Sequence, residues 1–466
     1  MRALASSYAQ DELINGAMLV ADANGIVFQD AYGLANREWG VANTLDTRFR
    51  IGSVTKVLTV AVVMQLRDEG VIDLAAPASR YLTTLTHPDA SHATVNDLLS
   101  HRSGLPRDFF PMSNENVAQH YSTRDLIERV NQLPAQSSAP GSEAAQAYSN
   151  INYVMLAAII EAVTGESWAD NVQRRIFDRV GMRHSQVDQP SAVIPHRASG
   201  YVHAHGIWVR AFEPDMSFDV GGGGVYSTVG DLYMFARALI DGRLVSEQSL
   251  QQMFAPQYGP QAFAWRVMDD APGYPEAAGR IAHHRGRING FTSQLTIDLT
   301  NRWVFVSLNN IDDAERWQLA ALQAAALARQ DAGPPPADEA LVIVNALLER
   351  GVEAAIAVAN EQIARSPAIV ATEGDSALTP LESELNRAAF TAIEGRQFAN
   401  ALALAQLNQR LFPGSANARI ALGYAHALAG DYDAAAIWVA RTRELDPENS
   451  DAAEVEQMIA AGRAPL

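Results

Sequence analysis

Ser53-Val54-Thr55-Lys56 sets a hydroxyl and an amine three residues apart at the head of an apolar run, Val57 to Leu66. Positions i and i+3 of a helix share a face, so Ser53 Oγ and Lys56 Nζ can meet. The first turn of a helix offers free N–H groups and the positive end of the dipole, both favourable to developing negative charge. An amine without its proton can take the serine proton and make the oxygen a nucleophile. Lys56 is the single lysine among 35 basic residues; all the others are arginine. Arginine stays protonated, whereas a desolvated lysine can act as a base. The plain structural alternative is a serine helix cap followed by an ordinary surface lysine.

Two further stretches can complete such a site. Tyr148-Ser149-Asn150 precedes the mostly apolar Ile151 to Ile160. A tyrosine hydroxyl can pass a proton between serine and leaving group, and Asn150 can hold both a substrate carbonyl and the lysine. Alone, this stretch also reads as a helix start with a core tyrosine. His284-Arg285-Gly286 lies in a β-like stretch, His283 to Phe291. Gly286 would let a substrate lie flat along an edge strand. The Arg287 N–H can pair with that of Ser53 as an oxyanion hole, and His284 would supply a tunable polar contact. A histidine on a β edge is the plain alternative.

The elements that must position these groups are readable in outline. The chain has 466 residues, 48% apolar and 19% charged, enough for two or three domains with real cores. Gly16 to Ala21 and Ile26 to Tyr32 read as strands joined at Asn24-Gly25. Helices are expected from Ser53 towards Gly70, over Thr94 to Leu99, over Asn152 to Val163, from about Asp231 to Leu239, and over Leu319 to Arg329. Gly221 to Gly224 reads as a flexible loop, and Phe291 to Asp298 with Arg302 to Asn309 as paired strands. Gly333-Pro334-Pro335-Pro336 is a stiff break, giving a mixed domain over 1–332, a linker over 333–337 and an alanine-rich helical domain over 338–466. In that last part Phe390 and Tyr424, Phe398 and Tyr432, Leu411 and Leu445, and Pro413 and Pro447 are each 34 apart, a period that resembles the tetratricopeptide repeat. Stacked helix pairs of this kind commonly bind a protein or peptide partner; a packing role is the alternative.

Several classes are excluded. Without cysteine there is no disulfide, thiolate nucleophile or Cys-metal site. A net charge of −18 argues against nucleic-acid binding. The longest apolar run, Tyr153 to Ile160, is far short of a membrane span. Met1 to Ala9 has one arginine and no long apolar core, so it does not read as a signal peptide. His203-Ala204-His205 lacks a third ligand at metal spacing; with Tyr201 and Trp208 it reads as a loop lining a cleft. Phe109-Phe110 reads as an apolar acyl pocket.

Taken in order, Ser53-x-x-Lys56, Tyr148-x-Asn150 and His284-x-Gly286 resemble the serine β-lactamase and penicillin-binding-protein family. The likeness is to its branch of class C β-lactamases, D-alanyl-D-alanine carboxypeptidases, esterases and D-aminopeptidases. Leu98 to Leu105 is similar to that branch's LLxHxSGL segment, and Gly222 to Leu232 to its GGxxST…DL segment. The resemblance runs over roughly residues 8 to 325. It implies an α+β fold of the β-lactamase/transpeptidase type: an antiparallel sheet flanked by helices, plus an all-helical lobe, with the site between them. The all-α repeat region follows. Ser53 would be acylated, Lys56 and Tyr148 would move protons, and water would release the product, with no metal or organic cofactor.

In place of the family's Lys-Thr/Ser-Gly this chain has His284-Arg285-Gly286. The lysine helps bind a β-lactam carboxylate; histidine there is typical of relatives that act on esters or D-peptides. The expectation is therefore an esterase or D-amino-acid peptidase acting on a small-molecule or peptide substrate. Arg285 and Arg287 remain open as carboxylate partners. The alternatives are a β-lactamase or carboxypeptidase, and a penicillin-binding sensor or scaffold without turnover. Relatives commonly work in the periplasm, which favours an exported setting.

Overall fold

The computed structural model describes residues 2–10, 13–109, 114–136, 138–189, 191–269, 279–311, 338–371 and 378–462. The chain packs as two compact units, Met1–Gly200 with Ala211–Pro335, and Tyr201–Arg210 with Pro336–Leu466. Among the described residues no helix is long and apolar enough to cross a membrane.

The first unit is mixed α and β. Its six-stranded antiparallel sheet runs, in spatial order, Arg266–Met268, Ile281–Ile288, Phe291–Asp298, Val304–Asn309, Gly16–Asp22 and Gly25–Tyr32. The Asn24-Gly25 turn forms as expected, with the Asp22 carboxylate accepting from Asn24 N at 2.7 Å and Gly25 N at 3.2 Å. Every residue of Phe291–Asp298 and Val304–Asn309 is buried, so the centre of the sheet is covered on both faces.

Two helices are buried nearly all round: Thr55–Asp68, enclosed from Thr55 to Leu66, and Ile151–Thr164, enclosed from Ile151 to Ile160. Neither exposes a face to solvent in its first ten residues, as befits core helices that pack on one another. Lys56 lies in the first turn of one, and Asn150 immediately precedes the other. The short Val95–Leu99 helix starts at a Thr94–Asp97 capping box. Thr228, accepting from Asp231 N, starts Val229–Ile240. Gly221 to Gly224 are buried, unlike the flexible loop the glycine run implied.

Among the described residues the second unit is all helical apart from one hairpin, Tyr201–Ala204 with Ile207–Arg210. The sequence reading made residues 201–208 a cleft-lining loop. Instead Ala204 and Ile207 join Ile343, Leu347 and Leu385 in that unit's core. The strand alternation was masked by histidines, which are themselves buried. Consecutive helices pack in pairs: Glu339–Arg350 with Val352–Arg365, Pro380–Glu394 with Phe398–Leu411, and Ala416–Leu428 with Tyr432–Arg443. Asp338, Thr379, Ser415, Asp431 and Asn449 each cap a helix start by accepting from a backbone N–H, worth about 1 kcal/mol apiece. Alanines at helix contacts are fully enclosed, which lets the backbones approach closely. The expected Leu319–Arg329 helix and the proline linker lie outside the described residues.

Candidate active site

The strand Phe49–Arg50 leads into a 3-10 turn over Gly52–Val54, and that turn opens the Thr55–Asp68 helix. Ser53 therefore sits just before the helix rather than in its first turn. In a 3-10 turn side chains at i and i+3 eclipse. Lys56 is fully buried, not a surface lysine. Its Nζ lies 3.2 Å from Ser53 Oγ and donates to Asn150 Oδ1 at 2.8 Å and to the Gly222 carbonyl at 3.0 Å. From the other side Tyr148 Oη lies 2.9 Å from the same Ser53 Oγ. Ser53, Lys56, Tyr148 and Asn150 are thus in direct contact, although they come from segments almost a hundred residues apart.

The hydrogen-bond inventory around Nζ constrains the chemistry. Two of its partners are carbonyl oxygens that can only accept. Nζ donates to both, and the Ser53 hydroxyl is its third polar neighbour. The Asn150 amide is held in the matching orientation, since its Nδ2 donates to Asp108 Oδ1 at 2.6 Å. Gly222 reaches Lys56 because it is glycine: a Cβ there would lie 2.0 Å from Asp219 Oδ1 and 3.2 Å from Lys56 Nζ. Asp219 is buried behind the glycine run, and burial raises its carboxyl to about 6 against the opposing pull of the Lys56 charge. Sequence reasoning missed Asp108 and Asp219. Only their places gave a signal, one after Leu105-Pro106-Arg107 and one before the glycine run.

The third motif enters through the Ile281–Ile288 strand, which Arg266–Met268 covers only as far as His283. His284 is buried and its Nδ1 donates to the Ala264 carbonyl. Burial, and then the Lys56 charge, lower its pKa to about 3, so the ring is neutral. Gly286 is required by the serine turn itself. A Cβ on it would lie 2.1 Å from Ile51 O and 3.0 Å from Ser53 N. A Cβ on Gly52 would lie 3.0 Å from Arg287 N, so that amide also borders the serine turn. Arg285 and Arg287 are exposed and alternate with Gly286. Their side chains therefore leave the strand on the face opposite Ser53. Phe109 packs half-buried against the main core; Phe110 lies outside the described residues. Among the described residues no group of three His, Asp or Glu side chains is arranged to hold a metal ion.

Residues 2–329 match the family described as Beta-lactamase. The chain is 28% identical over 314 residues to "Putative penicillin-binding protein PbpX" of Bacillus subtilis (strain 168), covering 66% of this chain and 73% of that protein. It is 26% identical over 251 residues to the teichoic acid D-alanine hydrolase of Staphylococcus aureus (strain MRSA252), covering 54% of this chain and 58% of that protein. In fold it is similar to the penicillin-binding protein from Bacillus halodurans, with a TM-score of 0.60 and 22% identity over 69% of this chain and 99% of that one. A family match that takes in nearly all of the first unit agrees with its antiparallel sheet and flanking helices, and the chain belongs to the beta-lactamase family as a serine hydrolase.

Proposed function

We propose that the chain cleaves an ester or amide through an acyl-enzyme on Ser53. The observation that carries this is the pair of contacts at one oxygen: Lys56 Nζ at 3.2 Å and Tyr148 Oη at 2.9 Å from Ser53 Oγ. The Ser53 proton passes to neutral Lys56 as Oγ attacks the carbonyl carbon. The oxyanion rests on the N–H groups of Ser53 and Arg287. Tyr148 relays the proton to the leaving group, whose bond to carbon then breaks. Water attacks the acyl-serine, losing a proton to the same pair of groups, and Ser53 regains its own on release.

The substrate is read as lacking a carboxylate beside the scissile bond. Neutral His284 cannot form an ion pair there, and the side chains of Arg285 and Arg287 leave the opposite face of the strand. The similarity to a teichoic acid D-alanine hydrolase supports D-alanyl esters or amides and an exported setting. The domain limits 1–332 and 338–466 are part of this proposal, as is a tetratricopeptide-like character for the C-terminal helices with a protein or peptide partner. Supporting the repeat, the rings of Phe390 and Tyr424, 34 positions apart, stack edge to face at 5.7 Å.

Burst release from a p-nitrophenyl ester, with mass spectrometry of Ser53, tests the mechanism. An acyl adduct on Ser53 is expected, and turnover without any adduct there would overturn it. Nitrocefin against short acyl esters and D-alanyl amides tests the substrate class. Weak or absent nitrocefin turnover is expected; rates typical of an antibiotic-resistance enzyme would return the β-lactamase alternative.

A further inference from the structure

His101 lies in the Leu98 to Leu105 segment and has no part in the proton path above, yet it is built tightly against it. It is buried and takes a left-handed backbone with φ +56°, unusual for any residue with a Cβ. Its carbonyl accepts from Ala147 N at 3.2 Å, and its ring Nδ1 accepts from Ser149 N at 3.2 Å. One residue thus grips the amides on both sides of Tyr148. Its ring also lies on the Tyr148 ring, with centroids 4.4 Å apart and planes 30° apart. Because Nδ1 accepts, the ring proton is on Nε2, a buried atom with no hydrogen-bond partner among the described residues. A buried polar nitrogen left unpaired on a strained backbone is an arrangement that fold stability alone does not favour.

We propose that His101 is a positioning residue that holds Tyr148 Oη against Ser53 by clamping the main chain on either side of Tyr148 and packing on its ring. The role rests on the proposed part of Tyr148 in proton transfer to the leaving group. Burial first, and then the electrostatic influence of the neighbouring Lys56, holds the imidazole pKa well below its ordinary value. The ring therefore stays neutral and Nδ1 stays an acceptor.

Leaving-group dependence separates this role from a merely structural one. A p-nitrophenoxide departs without a proton, whereas an alkoxide or amine needs one. With p-nitrophenyl and ethyl esters of one acyl group, His101→Leu is expected to lower kcat/KM on the ethyl ester about 10- to 100-fold and on the nitrophenyl ester less than about 3-fold. His101→Asn keeps an acceptor and tolerates positive φ, so it is expected to recover much of the ethyl-ester rate. In a Tyr148→Phe background His101→Leu should add nothing. Where the leucine variant does not fold, His101→Gly, which relieves the backbone, carries the same comparison.

Equal losses on both esters, or an additive loss in the Tyr148→Phe background, would overturn the clamp. If Tyr148→Phe itself shows no leaving-group selectivity, the proton role of Tyr148 fails first and the clamp falls with it.

Discussion

Gly286 and Ile51 are in main-chain contact so close that a Cβ on Gly286 would stand 2.1 Å from the Ile51 carbonyl oxygen. The same Cβ would meet Ser293 Oγ at 2.4 Å and Ser53 N at 3.0 Å. The strand is therefore docked on the serine turn by backbone. Gly286→Ala must push that turn, and overpacking of this kind costs about 1–3 kcal/mol. The expected result is a folded protein with a lowered Tm and at least a tenfold loss of ester turnover. Gly230→Ala is the control: its Cβ would have only Thr228 Oγ1 nearby, at 3.9 Å, and should be neutral or slightly stabilising. If Gly286→Ala keeps full turnover, the docking of strand on turn is not what places Ser53.

Lys56 gives a cleaner split between chemistry and stability. Lys56→Met replaces a buried polar amine with an apolar side chain, which favours folding, but leaves the Asn150 and Gly222 oxygens short of a donor, at about 1–3 kcal/mol each. These effects oppose, so Tm should move by only a few degrees. The ester burst should fall 100-fold or more. Lys56→Arg puts a fixed charge there in place of an amine that can lose its proton, and should be equally slow in acylation. A burst within tenfold of wild type in either folded variant would remove Lys56 from the proton path.

What could be read from sequence was what is local. The Asn24-Gly25 hairpin, the short helices expected over Thr94 to Leu99 and from about Asp231, and the Ser53–Lys56 pair each start from residues within four positions of one another. Lys56 stood out because arginine supplies every other basic side chain. Asp108 and Asp219 were invisible because chain reversals of 42 and more residues bring them to Asn150 and Lys56. The four-glycine run read as flexible because glycine carries no packing signal of its own. Its carbonyls are fixed by Thr59, donating to Gly221 O at 2.7 Å, and by Lys56. The His203–His205 hairpin was misread because its polar residues are buried among partners that come from beyond residue 337.

Asp219 predicts an unusual pH dependence. Its carboxyl titrates near 3.8 when unfolded and at about 6 when folded, chiefly because of burial. Between those values the folded chain binds more protons than the unfolded one, so stability falls as pH rises through this window. The penalty is complete above about pH 6 and is of the order of 3 kcal/mol. Asp219→Asn should therefore raise Tm at pH 7.5, with the gain fading as pH is lowered towards 4. Thermal unfolding of both proteins from pH 4 to 8 measures this. A gain that does not change with pH would mean that the carboxyl is not the titrating group.

His205 carries a dependence of the same sign in the second unit. Its Nδ1 lies 2.9 Å from Asp338 and its Nε2 2.7 Å from Glu384, with Arg387 2.8 Å from the same nitrogen. Burial works to lower its pKa, but the hydrogen bonds its ring nitrogens donate to the Asp338 and Glu384 carboxylates, against the repulsion of Arg387, leave it raised above 6.5. A histidine with a raised folded pKa contributes stability that is complete below the unfolded value near 6.5 and is lost as pH climbs through the folded value. The imidazolium bridges the Asp338 helix cap and the Pro380–Glu394 helix, so its removal should loosen both attachments of the hairpin. His205→Gln should lower the Tm of the full chain most at pH 5.5–6, by a few degrees. The deficit should shrink steadily towards pH 9. An equal deficit at both ends of the range would mean that the histidine serves by shape alone and carries no charge in the folded protein.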